Sequence, residues 1–163
     1  MQLYQTLILQ EDLKYPEQYH DDVVKYTQTK HSKEEVSLNR QENPFQRYID
    51  LWFLAVCIGA RSHVQNEVLP TEEMHKFHDG SILTRDPWRI DMLTVMAIGY
   101  SSDPLIIEKP KAVINLANSF TISGIPILLD MLTDKIELPN FSTPIWKLSR
   151  RVNILLSEFS GKS

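Results

Sequence analysis

The sequence predicts an all-α fold: a compact helical bundle of five to seven helices, with a central buried helix and at most short extended pieces. The stretch from Ile49 to Ala60 is apolar on nearly every face, as expected for a helix at the centre of a bundle. Asp86 and Pro87 form a clear helix start. The last segment repeats apolar residues in steps of three and four, which is typical of an amphipathic helix.

The first 44 residues are expected to hold a polar helix followed by a linker. The helix begins at Pro16, with Glu17, Asp21 and Asp22 in its first turns, near the positive end of the helix dipole. Residues 31–44 contain almost no apolar side chains, so they are interpreted as a solvated linker or a frayed helix end.

Helices and two short extended pieces are expected beyond the central helix. Thr71 is predicted to cap a helix over residues 71–78, because carboxylates fill its first turn. Residues 81–85 and 105–108 are the expected extended pieces.

Three further helices complete the prediction. Asp86 caps the first, which begins at Pro87 and should turn one apolar face to the core. The second begins at Pro110 and ends at Gly124, and Pro126 starts a short helix after it. The apolar face of the helix that begins at Pro87 consists of Met92, Leu93, Val95, Met96 and Tyr100.

Three regions follow from this pattern. Residues 1–44 form a polar N-terminal helix and linker, residues 45–134 form a helical core domain, and residues 135–163 form a C-terminal linker and amphipathic helix. The length of 163 residues is close to that of one domain.

Composition excludes several classes of protein. The chain has 17 Lys and Arg against 21 Asp and Glu, a net charge of -4, so it is not a uniformly basic nucleic-acid binder, although a local basic face remains open. Cys57 is the only cysteine, which excludes intramolecular disulfides and thiolate-rich zinc or iron–sulfur sites.

The start of the chain does not resemble a secretory signal. No basic region precedes its apolar residues, which are interrupted by Gln and Thr. The apolar stretch of twelve residues from Ile49 to Ala60 is too short to cross a bilayer. Together with the lone thiol, these features predict a cytoplasmic protein with no membrane contact.

Histidines supply the most metal-like pattern. His75 and His78 are three residues apart, so one helical face can present both, with Asp79 adjacent and His63 as a distant further ligand. The pattern lacks HExxH, and no cysteine can complete a site. Exposed or capping histidines are the favoured interpretation, and no cofactor or metal is expected.

Nucleophilic and phosphate-binding signatures are absent. Cys57 lies in the most apolar helix, where a thiol is interpreted as an inert core residue. The chain has no GxSxG elbow, and its five glycines form neither a Rossmann nor a Walker pattern. No catalytic residue is predicted, which favours a protein that is not an enzyme.

Basic residues near two helix starts are the predicted nucleic-acid contacts. If DNA is bound, its phosphates should contact Arg61, Lys76, Arg85 and Arg89. A solvated surface is the alternative, because six acidic residues are interleaved with these cations, and Arg89 could instead pair with Asp86 or Glu73.

The last helix is the predicted association surface. Its stripe suits one partner helix, whether in a second copy, in another subunit or in its own domain. The stripe residues are Ile145, Leu148, Val152, Leu155 and Phe159.

The block from about Pro44 to Leu132 resembles small helical proteins of bacterial DNA-phosphorothioation (Dnd-type) gene clusters, including DndE-type and dnd system-associated proteins. The resemblance rests on the order of four pieces: YIDLWFLAVCIGAR, DGSILTR, DPWRIDMLTVMAIGY and INLANSFTISGIPILLDML. It covers a little over half of the chain and includes no catalytic signature.

The resemblance implies a compact helical accessory protein of a DNA-modification or anti-phage defence complex. DndE-type members contact DNA through lysines, but this sequence has no dense lysine patch. A role as a subunit or adaptor is therefore expected, with other subunits of the complex as partners, and DNA contact and homo-oligomers remain possible. The alternatives are a small metal-dependent enzyme using His63, His75 and His78, and a protein-interaction module without a nucleic-acid role.

Overall fold

Two long helices packed side by side form the centre of the fold in a computed structural model, which describes residues 8–27, 43–62, 73–133 and 148–154. The prediction of a mostly helical bundle with a central buried helix is confirmed. The elements are, in chain order, β1 (Asp12–Pro16), a 3-10 turn (Glu17–Tyr19), α1 (His20–Tyr26), α2 (Tyr48–Arg61), β2 (Met74–Asp79), a 3-10 helix (Gly80–Arg85), α3 (Trp88–Ser101), a 3-10 helix (Pro104–Glu108), α4 (Pro110–Thr133) and helical residues 148–154.

Glycines allow α2 and α4 to touch along their backbones. A Cβ atom added at Gly59 would overlap the backbone carbonyl of Phe120, and one added at Gly124 would overlap that of Ala55. Both glycines are buried. Each helix therefore presents a side-chain-free spot to the other, which brings their axes closer than larger residues would permit.

The helix α4 continues through Pro126, so the predicted break at Gly124 and Pro126 is wrong. A proline inside a helix costs about 3 kcal/mol. Downstream of it, Leu128, Met131 and Leu132 are all buried, and burying each contributes about 1.5–3 kcal/mol. Core packing beyond the proline thus offsets its cost.

Within the described part of the chain, α4 is also long and apolar enough to span a membrane. Its most apolar window has a mean hydropathy of 1.6, and 56% of that window is buried inside the fold. Helices at the centre of globular domains commonly share this length and composition, so the feature is weak evidence of a membrane span.

The strands lie where they were not predicted. β1 and β2 pair antiparallel, with Tyr15 opposite His75 and an irregularity between Leu13 and Lys14. Within the predicted helix over 71–78, residues 74–78 instead lie in β2, and the pieces expected to be extended, 81–85 and 105–108, lie in 3-10 helices. Pairing with a distant strand overrides the local helix signal.

Side chains from the central helices hold the other edge of β1. The indole Nε1 of Trp52 donates to the Lys14 carbonyl at 2.9 Å. The Asn118 amide donates to the Asp12 carbonyl at 2.9 Å and accepts the Lys14 N–H at 2.8 Å. These side chains bond backbone groups of β1 that a third strand would otherwise pair. Without them, the N–H and C=O groups on that edge would be unsatisfied in the core.

The first segment shares the core of the central helices. Leu13 and Tyr15 of β1 and Val23 and Tyr26 of α1 are buried in the same cluster as α2 and α4. Among the described residues, the boundary predicted at residue 44 therefore does not separate two cores. Most of the predicted linker lies outside the described residues.

The helix α3 has two apolar faces instead of the single predicted one. Ile90, Leu93 and Ala97 are buried in the core, whereas Met92 and Val95 are exposed. The apolar residues of this helix occur too densely for a single stripe, so only part of them can reach the core.

Replacing Asn118 with Ala should lower the free energy of unfolding by about 2 kcal/mol, because two backbone groups of β1 lose their partner. Asn115→Ala is the matched control on the same helix: Asn115 is exposed, and its loss should change stability by less than about 0.5 kcal/mol. Urea denaturation of both variants measures the difference, and equal stabilities would contradict the role of Asn118.

Candidate functional site

The four predicted phosphate contacts lie on four different elements of the fold. Arg61 is exposed at the end of α2, beside an apolar pocket. Lys76 is on β2, where its ammonium group pairs with Asp12 at 2.5 Å. Arg85 is exposed at the end of the 3-10 helix before α3. The structure thus distributes these cations over separate elements.

Arg89 is buried and cannot contact a phosphate in this structure. Its side chain is 7% exposed, and it donates to the Ile49 carbonyl at 2.8 Å and to Asp50 at 2.6 Å. The guanidinium also lies over the rings of Phe53 and Trp88, 5.1 Å from each centroid. Arg89 therefore attaches α3 to the first turn of α2, and its predicted DNA contact is wrong.

This buried guanidinium belongs to a cluster of four charges. Arg47 pairs with both Asp50 and Asp86 at 2.8 Å, and Arg89 faces the same two carboxylates. Asp86 serves this cluster and makes no side-chain cap on α3, contrary to the sequence prediction. Burial raises the pKa of Asp50, but hydrogen bonds from Arg47 and Arg89 outweigh it and lower the pKa overall.

The predicted histidine pair is separated by the strand geometry. Successive residues of a strand point to opposite faces, so positions three apart, such as 75 and 78, diverge. His78 is exposed and hydrogen-bonds the carbonyl of Asp79 at 2.9 Å. His75 instead packs against the Tyr15 ring, at 5.2 Å between centroids. His63 lies outside the described residues.

A different cluster brings His75 together with two residues of the first segment. One possible ligand atom from each of Glu17, His20 and His75 lies within 4.8 Å of the others. Nδ1 of His75 is 2.8 Å from the Glu17 carboxylate, and the two imidazole rings are 4.2 Å apart. We refer to these three residues as the histidine cluster.

Tyr15 lies beneath the histidine cluster. Its hydroxyl is 3.0 Å from Nδ1 of His20, and the residue is buried in the core. Burial raises its pKa far above the ordinary value, with smaller contributions from Tyr48 and Glu17. The hydroxyl therefore stays protonated at all ordinary pH values and acts as a neutral hydrogen-bonding group.

The sequence contained no local signal for the histidine cluster. Glu17 and His20 lie next to each other in the 3-10 turn and α1, but His75 is 58 residues from Glu17 along the chain. Only the pairing of β1 with β2 brings them together. Had the pairing of β1 with β2 been predicted, the neighbours expected for His75 would have been residues of the first segment and not His78.

An apolar pocket of about 380 Å³ lies between α2, α4 and helical residues 148–154. Cys57 is part of its wall, and burial raises the pKa of the thiol, so the thiol is a poor nucleophile at neutral pH. Arg61 and Ser62 are among the few polar residues of the lining.

The last helix borders this pocket over its described residues. Leu148 packs against the core, Val152 is partly exposed, and Arg151 pairs with Asp130 of α4 at 3.3 Å. These residues pack against their own domain, which was one of the three partners considered for the stripe. Ile145, Leu155 and Phe159 lie outside the described residues.

The outward face of α3 is an exposed apolar surface. Trp88, Met92 and Val95 are 51%, 45% and 63% exposed. Their spacing of four and three residues places them on one side of the helix. Gly99 follows four residues later on the same side. We call these four residues the α3 face.

Comparison with known proteins returned no match: neither a family model, nor a curated protein, nor a solved structure is similar to this chain.

Replacing Arg89 with Ala should lower the free energy of unfolding by about 3 kcal/mol, because two carboxylates lose a buried counter-charge. Arg85→Ala is the matched control, since Arg85 is exposed and was predicted to have the same phosphate role; it should change stability by less than about 0.5 kcal/mol. Chemical denaturation compares the two. Equal effects would show that Arg89 is not a structural anchor.

Asp50 should make stability sensitive to acid. Because its pKa is lower in the folded chain than the ordinary 3.8, its stabilisation is complete above that value and is lost as the pH falls through the folded pKa. Thermal unfolding between pH 5 and pH 2 should therefore show a flatter pH dependence for Asp50→Asn than for the wild type. An identical slope in both proteins would contradict the ion-pair role.

Proposed function

We propose that this chain is a non-enzymatic subunit that assembles through the α3 face, and that it serves in a bacterial DNA-modification or anti-phage defence complex. The observation that carries the assembly role is the exposed apolar side of α3. The setting comes from the resemblance of residues 44–132 to Dnd-type accessory proteins.

Apolar exposure on α3 supports a contact surface. Trp88, Met92 and Val95 form a continuous side of one helix, while the opposite side of that helix is already buried. Exposed apolar patches of this kind mark interaction sites more often than isolated exposed residues do. A partner that covers the α3 face would remove this surface from water.

Gly99 adds a second argument. A Cβ at this position would meet no atom within 4 Å, whereas Gly59 and Gly124 are required by backbone contacts. Glycine inside a helix costs about 1 kcal/mol relative to alanine. No contact within the described residues offsets that cost, but the close approach of a partner helix would.

A second copy of the chain fits the α3 face. When two α3 helices pack antiparallel about a two-fold axis, position 88 lies opposite 99 and position 92 lies opposite 95. The large Trp88 ring then meets the empty space at Gly99, and Met92 meets Val95. This pairing of large with small residues makes the face complementary to itself.

The placement of the basic residues supports a subunit role over direct DNA binding. One predicted phosphate contact is buried, and another is already paired with a carboxylate. The net charge of -4 also disfavours long-range attraction to DNA. We therefore assign DNA contact to other members of the complex.

Light scattering tests the assembly directly. The wild-type chain should show about twice the single-chain mass of 18.9 kDa, and Val95→Asp should show the single-chain mass, because it places two charges in an apolar contact. Ile154→Asp is the control: this residue is also exposed and apolar, but it lies outside the α3 face. The control should keep the wild-type mass.

Gly99→Leu provides an independent variant. It introduces a better helix former, so the single chain should remain folded, but the new side chain occupies the space of the Trp88 ring. Its mass should fall to that of one chain. A wild type that is monomeric at all soluble concentrations, or variants that all keep the double mass, would contradict assembly through α3.

Neighbouring genes test the setting separately. DNA-modification or restriction genes are expected beside the gene for this chain. Their absence would remove the defence setting while leaving the assembly role to be decided by the mass measurements.

A further inference from the structure

We propose that the histidine cluster of Glu17, His20 and His75 is a binding site for a divalent transition-metal ion, with zinc as the natural occupant. Two imidazoles and one carboxylate form a ligand set that zinc accepts in proteins, with a further position left for water or another ligand. The site shares only His75 with the His63, His75 and His78 set that the sequence suggested, and it does not depend on the α3 face.

The distances within the cluster are close to those required. In a tetrahedral zinc complex with bonds of 2.0–2.2 Å, neighbouring ligand atoms lie about 3.3 Å apart. One pair, between His75 and Glu17, is 2.8 Å apart, and no pair exceeds 4.8 Å. Movements of about 1 Å at the tips of partly exposed side chains would therefore enclose an ion.

An ordinary ion pair does not account for the whole arrangement. The short contact joins only the Glu17 carboxylate and His75. The His20 ring lies 4.2 Å from the His75 ring and is not part of that pair. A metal ion uses all three groups at once, because it binds neutral imidazoles and a carboxylate together.

Residues around the cluster hold its ligands in place, as is usual for metal sites that contain histidine. A metal-binding histidine commonly hydrogen-bonds an outer partner through its second nitrogen, which fixes the orientation of the ring. The Tyr15 hydroxyl lies 3.0 Å from Nδ1 of His20, and Tyr15 itself is held by the core. Opposite Tyr15 in the strand register lies His75. The ligands therefore project from paired and packed backbone, which lowers the cost of organising the site.

The donor set decides the class of ion. Magnesium and calcium prefer sites made entirely of oxygen atoms, whereas imidazole favours zinc, copper, nickel and cobalt. Two nitrogen donors and one oxygen donor therefore exclude the hard cations as good occupants. Cobalt(II) can replace zinc as a coloured probe, because its visible absorption reports the coordination geometry.

Zinc titration of the full chain, stripped of metal by a chelator, tests the site. Calorimetry should show one ion per chain, and cobalt(II) should give the strong visible bands of a low-coordinate site. His20→Ala and His75→Ala should each weaken zinc binding by at least about 100-fold, more than the 10- to 100-fold loss expected from removing an outer partner. Tyr15→Phe should fall in that smaller range.

His78→Ala is the matched control, because it removes an exposed histidine from the same strand without touching the cluster. It should bind zinc as the wild type does. If His75→Ala does not fold, Glu17→Gln removes the carboxylate charge with little change in shape and should show the same direction of effect.

Thermal unfolding provides a second readout. Saturating zinc should raise the unfolding midpoint of the wild type and of His78→Ala, but not that of His20→Ala or Glu17→Gln, because only an intact site links ion binding to folding. The proposal is overturned if zinc does not bind, if binding survives in the His20→Ala and His75→Ala variants, or if His78→Ala weakens it equally.

Discussion

Backbone contact between α2 and α4 is the constraint on which the rest of the fold depends. Gly59 and Gly124 leave no room for side chains, so the two helices are fixed in rotation and in axial position relative to each other. That relation aims Trp52 and Asn118 at the same strand, where each bonds the backbone of β1. The small sheet is thus attached through its first strand to the helix pair.

The histidine cluster follows from this attachment. Once β1 is held by the helices, its pairing with β2 sets Tyr15 opposite His75, and the turn after Pro16 carries Glu17 and His20 to the same place. Loop closure over this sequence separation has an entropic cost, which the core contacts of β1 and α1 offset. The chemistry of the cluster therefore depends on apolar packing elsewhere in the chain.

Sequence reasoning identified the elements whose signals are local. The central helix follows from apolarity on every face, and the helix after Pro87 begins close to its predicted start. β2 could not be identified in this way, because its residues also suit a helix and become a strand only through distant pairing. Burial of Arg89 was equally hidden, since its partner Asp50 lies on another helix, 39 residues away. Contacts of this length leave no periodic pattern in the sequence.

The ion pairs of the buried Arg89 fix an orientation of α3 that its apolar residues alone would not ensure. A helix with two apolar faces can bury either one, so apolarity does not fix its rotation. Arg89 fixes it, because its guanidinium must reach Asp50 and the Ile49 carbonyl. The opposite face is thereby held outward in a defined orientation. A surface organised before binding loses little conformational freedom when a partner arrives, so a small contact can suffice for association.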